Sequence, residues 1–177
     1  MMKSLRTVAA LLFCCACDAA AAPALTAAAV LADIHVRGPY AVVQSIWEKP
    51  EWGELLGKVE TGQTAWLHVA VAIYPGTDAG SAEELTSAVG VALLHDPQQV
   101  LLSVAPVLGL EGICSAPDTD DPRWPTREQV VANLDDRIAA VSHLSDRTVA
   151  AVRASCLKYL RENRALLMSP NGPYSKG

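Results

Sequence analysis

The sequence is poor in aromatic residues and in charge. Aromatic side chains make up 5% of the 177 residues, with one phenylalanine, and charged side chains make up 19%. An average soluble domain carries roughly 25% charged residues. The net charge is −5, so the chain has no excess of cations to attract nucleic-acid phosphates. We therefore predict that nucleic acid is not a partner.

The sequence patterns that accompany catalysis are also missing. None of the four histidines, His35, His68, His95 and His143, is spaced three or four residues from another, as a zinc site on one helix would require. There is no G-x-S-x-G motif around a serine, which would indicate a nucleophile elbow. We therefore assign no catalytic, cofactor-binding or metal-binding residue, and a role other than catalysis is the favoured interpretation.

Apolar residues, in contrast, are abundant, and many of them lie at the N-terminus. Hydrophobic residues make up 51% of the chain. Lys3 and Arg6 precede the uncharged run 7–16, which is too short to span a bilayer, since a spanning helix needs about 20 residues. Small residues at Ala19 and Ala21 follow, as at a signal-peptidase site. We predict that residues 1–21 are a signal peptide and that the protein is periplasmic or secreted.

Two other fates of the N-terminus stay open at this point. Cys17 follows Ala16 and could be the lipidated first residue of a membrane-anchored lipoprotein, although Cys14 stands where a lipobox has leucine. The N-terminal helix could also stay uncleaved as an anchor. We predict no transmembrane span after residue 21. Removal of Lys3, Arg6 and Asp18 from the 14 basic and 19 acidic residues leaves 12 and 18, a net charge of −6.

The remaining chain has the helix-start and helix-stop signals that are typical of an all-α protein. Asp96-Pro97 is typical of an N-cap followed by proline at the first helical position, and we predict a helix over 97–105. Ser145 is expected to cap the last helix, over 146–167. Thr126 with Gln129, and Ser81 with Glu84, have the spacing of capping boxes, and the long irregular stretch is 106–125. We predict an array of short helices packed as helical hairpins, with one disulfide-stapled loop. The predicted units are a partly flexible N-terminal segment (22–38), a single helical domain (39–168) and a flexible C-terminal tail (169–177).

Two cysteines remain after the signal peptide, Cys114 in the irregular stretch and Cys156 on the apolar stripe of the last helix. In an oxidising compartment two such cysteines favour a structural disulfide, which would staple the loop onto the helix. Two buried free thiols, or redox chemistry, are the alternatives. Neither cysteine is part of a C-x-x-C motif.

The most distinctive loop is 74–81, which contains two glycines and a proline. Thr77 and Asp78 offer side-chain oxygens there, and no lysine follows as it would in a phosphate-binding loop. Two interpretations are open for Thr77 and Asp78: a recognition loop, or the turn and cap that begin the next helix.

Short motifs between Trp66 and Pro117 carry a family resemblance. They are Pro75-Gly76-Thr77-Asp78-Ala79, Ala92-Leu93, Asp96-Pro97, Val100-Leu101 and Ile113-Cys114-Ser115-Ala116-Pro117. This stretch, about a third of the chain, resembles uncharacterised exported α-helical proteins of proteobacteria. The resemblance implies a periplasmic setting and no particular activity.

Together these features favour a protein that acts by binding another protein, as an inhibitor or an immunity-type protein would. A small periplasmic hydrolase with an unrecognised site and a structural component of the envelope are the alternatives.

Overall fold

The computed structural model describes residues 25–117, 121 and 123–170, and within these ranges the chain is helical and contains no strand. None of the helices in this part has the length and apolar character needed to cross a bilayer. The all-α prediction is confirmed. The α-helices are α1 (Ala27–Arg37), α2 (Pro39–Ile46), α3 (Pro50–Glu60), α4 (Thr64–Ile73), α5 (Ala79–Ala92), α6 (Pro97–Gln99), α7 (Ala105–Leu108), α8 (Leu110–Ile113), α9 (Arg127–Ser142) and α10 (Ala150–Met168).

The core is built around α4, the most hydrophobic helix of the fold. Leu67, Val69, Ala70 and Ile73 are fully buried, because α4 contacts α1, α2, α3 and α5. The neighbouring helix α3 also packs along α5. Helices that follow one another in sequence therefore share one core, as the predicted hairpin array requires.

The helical core begins earlier than the sequence predicted. The segment 22–38 was expected to be partly flexible and outside the domain, but α1 occupies Ala27–Arg37 and packs against α2 and α4. Thr26 caps this helix by accepting a hydrogen bond from the backbone N–H of Ala29 (3.2 Å). Val30 is buried. The described part of this segment therefore contributes to the same core as the helices that follow residue 39.

The last two long helices form an antiparallel hairpin. The Arg164 guanidinium near the end of α10 binds Asp135 on α9, with Nε to Oδ1 at 2.5 Å, and Arg153 donates to the carbonyl of Leu144 after α9 ends. The Thr126–Gln129 capping box at the start of α9 is present as predicted.

A proline reshapes the helix that was predicted to run from residue 97 to 105. This stretch continues to residue 108 as α6, a π-helical segment (Val100–Val104) and α7. Pro106 has no N–H and its ring would clash with the carbonyl four residues earlier. The N–H of Ala105 bonds to the carbonyl of Val100 instead, so the chain gains a π-turn. Because α7 and α8 fill 105–113, only part of the predicted irregular stretch 106–125 is irregular.

The predicted signal peptide (1–21), with Cys17, lies outside the described residues. The same holds for residues 171–177 of the predicted tail. Ser169 and Pro170 are described, and Ser169 caps the end of α10.

Candidate functional site

A concave surface lies between α5 and the α7–α8 corner, and we call it the α5–α8 groove. Its volume is about 330 Å³. Four lining residues come from α5 and four come from the opposite wall. They are Ala82, Glu83, Thr86, Ser87, Leu108, Gly112, Ser115 and Ala116.

Two glycines of the opposite wall shape this groove. Gly109 lies between α7 and α8 and has φ +96°, a left-handed conformation that glycine adopts without strain. Gly112 faces Thr86, and a Cβ at Gly112 would lie 2.8 Å from the Thr86 Cγ2 methyl carbon. The lack of a side chain at Gly112 therefore lets α8 approach α5 closely.

The free polar groups of the groove are few. Thr86 Oγ1 is engaged, since it donates to the carbonyl of Ala82 (2.7 Å). Ser87 Oγ is buried without a hydrogen-bond partner in the described part of the chain. Glu83 is exposed and forms no ion pair within that part.

A second depression lies on the α9–α10 hairpin, but its charges are already matched. It is lined by Arg127, Glu128, Val131, Ala132, Asp135 and Met168. Arg127 Nε lies 3.8 Å from Glu128 Oε1, and Asp135 is bound by Arg164, which holds the pKa of the Asp135 carboxyl below its usual range. The charged groups that line this surface therefore have ion-pair partners, whereas Glu83 in the α5–α8 groove has none within the described residues.

A buried arginine, Arg137 on α9, was not anticipated from the sequence. Its side chain is 1% exposed, and Nη1 donates to the carbonyl of Ser115 (3.3 Å). Nε and Nη2 have no partner within the described residues. Burial, and to a smaller extent the neighbouring Arg123 charge, lowers the pKa of Arg137 to about 10 against the opposing effect of Glu60, so the guanidinium is still charged at neutral pH.

The position of Arg137 is visible in the sequence once α9 is known. Val130, Leu134, Arg137 and Val141 recur at spacings of four, three and four, and all four are buried. A charged residue on an apolar stripe is the signal that could have found it.

The two late cysteines come together as predicted. The Cys114 and Cys156 sulfurs lie at disulfide-bonding distance, 2.07 Å, and their Cα atoms are 5.3 Å apart. Both residues are fully buried. Cys114 ends α8, so the pair ties the α8 wall of the groove to α10.

The structure does not bring Thr77 and Asp78 to the groove, and it gives both residues a local role. Asp78 is the N-cap of α5, where Oδ1 accepts from the backbone N–H of Ser81 (3.1 Å) and Ser81 Oγ accepts from the N–H of Asp78 (2.9 Å). Thr77 Oγ1 donates to the carbonyl of Tyr74 (2.7 Å). These contacts favour the capping interpretation over the recognition loop. Ser81, expected to be the cap itself, is the third helical residue.

We expect Asp78→Ala to lower the melting temperature because it removes this cap. The hydrogen bonds from the Ser81 side chain and backbone lower the pKa of Asp78. The contribution of Asp78 is therefore present above the unfolded pKa and is lost as pH falls through the lower folded pKa. Melting curves at pH 7 and pH 2.5 should differ more for the wild type than for Asp78→Ala. An equal loss of stability in both proteins would contradict the capping role.

The four histidines are all exposed, and the described part of the chain holds no group of three or more residues that could ligate a metal ion. Glu84 accepts a hydrogen bond from Trp52 Nε1 (2.7 Å), which gives that carboxylate a packing role between α3 and α5. No family model matches the chain, and no curated protein or solved structure matches it.

Proposed function

We propose that this chain is an exported helical protein that acts by binding another protein in the periplasm or outside the cell. An inhibitor or an immunity-type protein that shields its partner is the role that fits this proposal. The N-terminal signal-like sequence, 1–21, and the resemblance to exported proteobacterial proteins support the same compartment.

The Cys114–Cys156 pair supports the oxidising compartment. Disulfides persist in the periplasm and outside the cell and are rare in the cytosol. The two sulfurs lie at bonding distance although the cysteines are 42 residues apart in sequence. A buried cysteine pair at bonding distance can form a stabilising disulfide in a chain that folds in an oxidising compartment after export.

The observation that carries the binding role is the α5–α8 groove. Its walls are fixed by helix packing, yet the Glu83 carboxylate there is exposed and forms no ion pair within the described residues. The adjoining segment 100–108 also leaves Leu102 and Val107 more than 40% exposed. Apolar surface beside a groove with a few polar groups is the usual composition of a protein-binding site.

Site-specific photocrosslinking tests this role. A photoreactive amino acid replaces Glu83 in the full-length chain, which is produced in its own cell with its native N-terminus. A matched control carries the same amino acid at Glu54, an exposed position on α3. We expect one dominant crosslinked protein from position 83 and none from position 54. Absence of any crosslink from position 83, or equal crosslinking from both positions, would overturn the proposal.

A further inference from the structure

The unpaired carboxylate and the apolar walls of the α5–α8 groove favour one kind of ligand. We propose that the groove receives an arginine side chain presented by the partner protein. The aliphatic part of that side chain lies between α5 and α8, and its guanidinium binds the Glu83 carboxylate. This inference rests on the proposed function, because it names what the same groove takes.

Charge is the first argument for a basic occupant. Glu83 lines the groove, and Glu111 lies on α8 beside the lining residue Gly112. Both carboxylates are exposed, and neither forms an ion pair within the described residues. The lining includes no basic residue, and the whole chain carries a net charge of −5. An anionic occupant would be repelled, and a cationic one would be attracted as it approaches.

Size and wall composition select a single long side chain. Ligand pockets run from about 300 to 1,000 Å³, and this groove, at about 330 Å³, is at the small end of that range. Its walls present the Leu108 side chain, two alanine methyl groups and the methyl group of Thr86, which faces Gly112. Basic side chains bury their aliphatic parts along such surface while the charged end stays at the edge.

The geometry of the Glu83 carboxylate favours arginine over lysine. This carboxylate is exposed and forms no ion pair within the described residues. A guanidinium has five N–H donors in a planar fork and can bond both oxygens of one carboxylate. The compact ammonium of lysine lacks that fixed geometry.

Short peptides provide a direct probe. The acetylated and amidated peptides Gly-Ala-X-Ala-Gly, with arginine, lysine, citrulline or glutamate at X, are titrated into the isotopically labelled, exported chain and followed by NMR. We expect the arginine peptide to shift the amide signals of Ala82, Thr86 and Gly112, with a Kd in the millimolar range. Citrulline has nearly the same shape without the charge, so its binding should be at least tenfold weaker, and the lysine peptide should fall between the two.

Three variants locate the effect. Glu83→Gln should weaken arginine-peptide binding about tenfold, whereas Glu54→Gln changes the net charge equally and should leave it unchanged. Ala82→Leu fills the groove without altering charge and should abolish the shifts while the circular-dichroism spectrum stays helical. Equal binding of arginine and citrulline, shifts confined to another surface, or no binding at 10 mM would each overturn the inference.

The two proposals fail in distinguishable ways. If position 83 crosslinks a partner but the arginine peptide does not bind, the proposed function survives and the arginine occupant is wrong. If the peptide binds as described and no partner is crosslinked, the groove chemistry is correct and the binding role in the cell is wrong.

Discussion

Replacing both Cys114 and Cys156 by alanine is expected to lower the free energy of unfolding by about 4 kcal/mol. The bond closes a loop between cysteines 42 residues apart, so its loss enlarges the conformational freedom of the unfolded chain. Both residues are also fully buried, and their replacement leaves unfilled space in the core. Urea unfolding at equilibrium measures this difference through the transition midpoint and slope.

Matched controls separate the bond from its surroundings. Ser155→Ala changes an exposed neighbour on the same helix and should leave the midpoint unchanged. Wild-type protein in a thiol reductant should approach the midpoint of the double variant. Thiol titration of the denatured, unreduced chain that begins at Ala22 should find no free thiol. Two reactive thiols for each such chain would contradict the disulfide.

Arg137→Ala is expected to cost about 3 kcal/mol of stability, because it removes a large, fully buried side chain and leaves a cavity between α9 and the end of α8. Arg137→Met should behave differently. The guanidinium makes one hydrogen bond, to Ser115, within the described residues, and a buried charge with little compensation is costly. Methionine fills similar space without that cost, so we expect it to be neutral or stabilising by about 1–2 kcal/mol.

Urea unfolding of the two variants, with Arg161→Ala as an exposed control on α10, checks this expectation. The control should stay within about 0.5 kcal/mol of the wild type, as surface substitutions do. If the methionine variant loses as much stability as the alanine variant, the buried guanidinium makes a net stabilising contribution. Our interpretation that burial of this charge costs free energy would then be wrong.

Local signals made much of the fold predictable. The Thr126–Gln129 box placed the start of α9 because it depends on residues three apart. The start of α10 was less accurate: the helix was expected to run from Asp146 with Ser145 as its cap. Asp146 instead caps a 3-10 turn, Arg147–Val149, by accepting from the N–H of Thr148 (2.8 Å), so regular α-helix begins at Ala150.

The α1 helix was not predicted because its stability comes from tertiary packing and not from a local sequence signal. Its alanines continue the composition of the segment before it, and only Val30, Leu31 and Ile34 among its core-facing residues mark an apolar face. That apolar face is buried only when α4 packs against it.

The groove could not be predicted from the sequence, since its two walls are more than 20 residues apart along the chain. Glu83 and Ser87 are unremarkable helical residues until α8 packs opposite them. The close approach depends on Gly112 lacking a side chain next to Thr86, and no local pattern in the sequence reveals which residue a glycine will face.

The π-turn at Val100–Val104 gives chain length an unusual importance in this fold. A π-turn holds one residue more than an α-turn, and each residue of an α-helix advances the side-chain direction by about 100°. A relative with one residue fewer here, and with another residue in place of Pro106, would restore the regular α-helical ladder and turn the direction of Leu108 by about 100°. Among related chains, a change of length in this segment should therefore accompany a change in the α7 side of the groove.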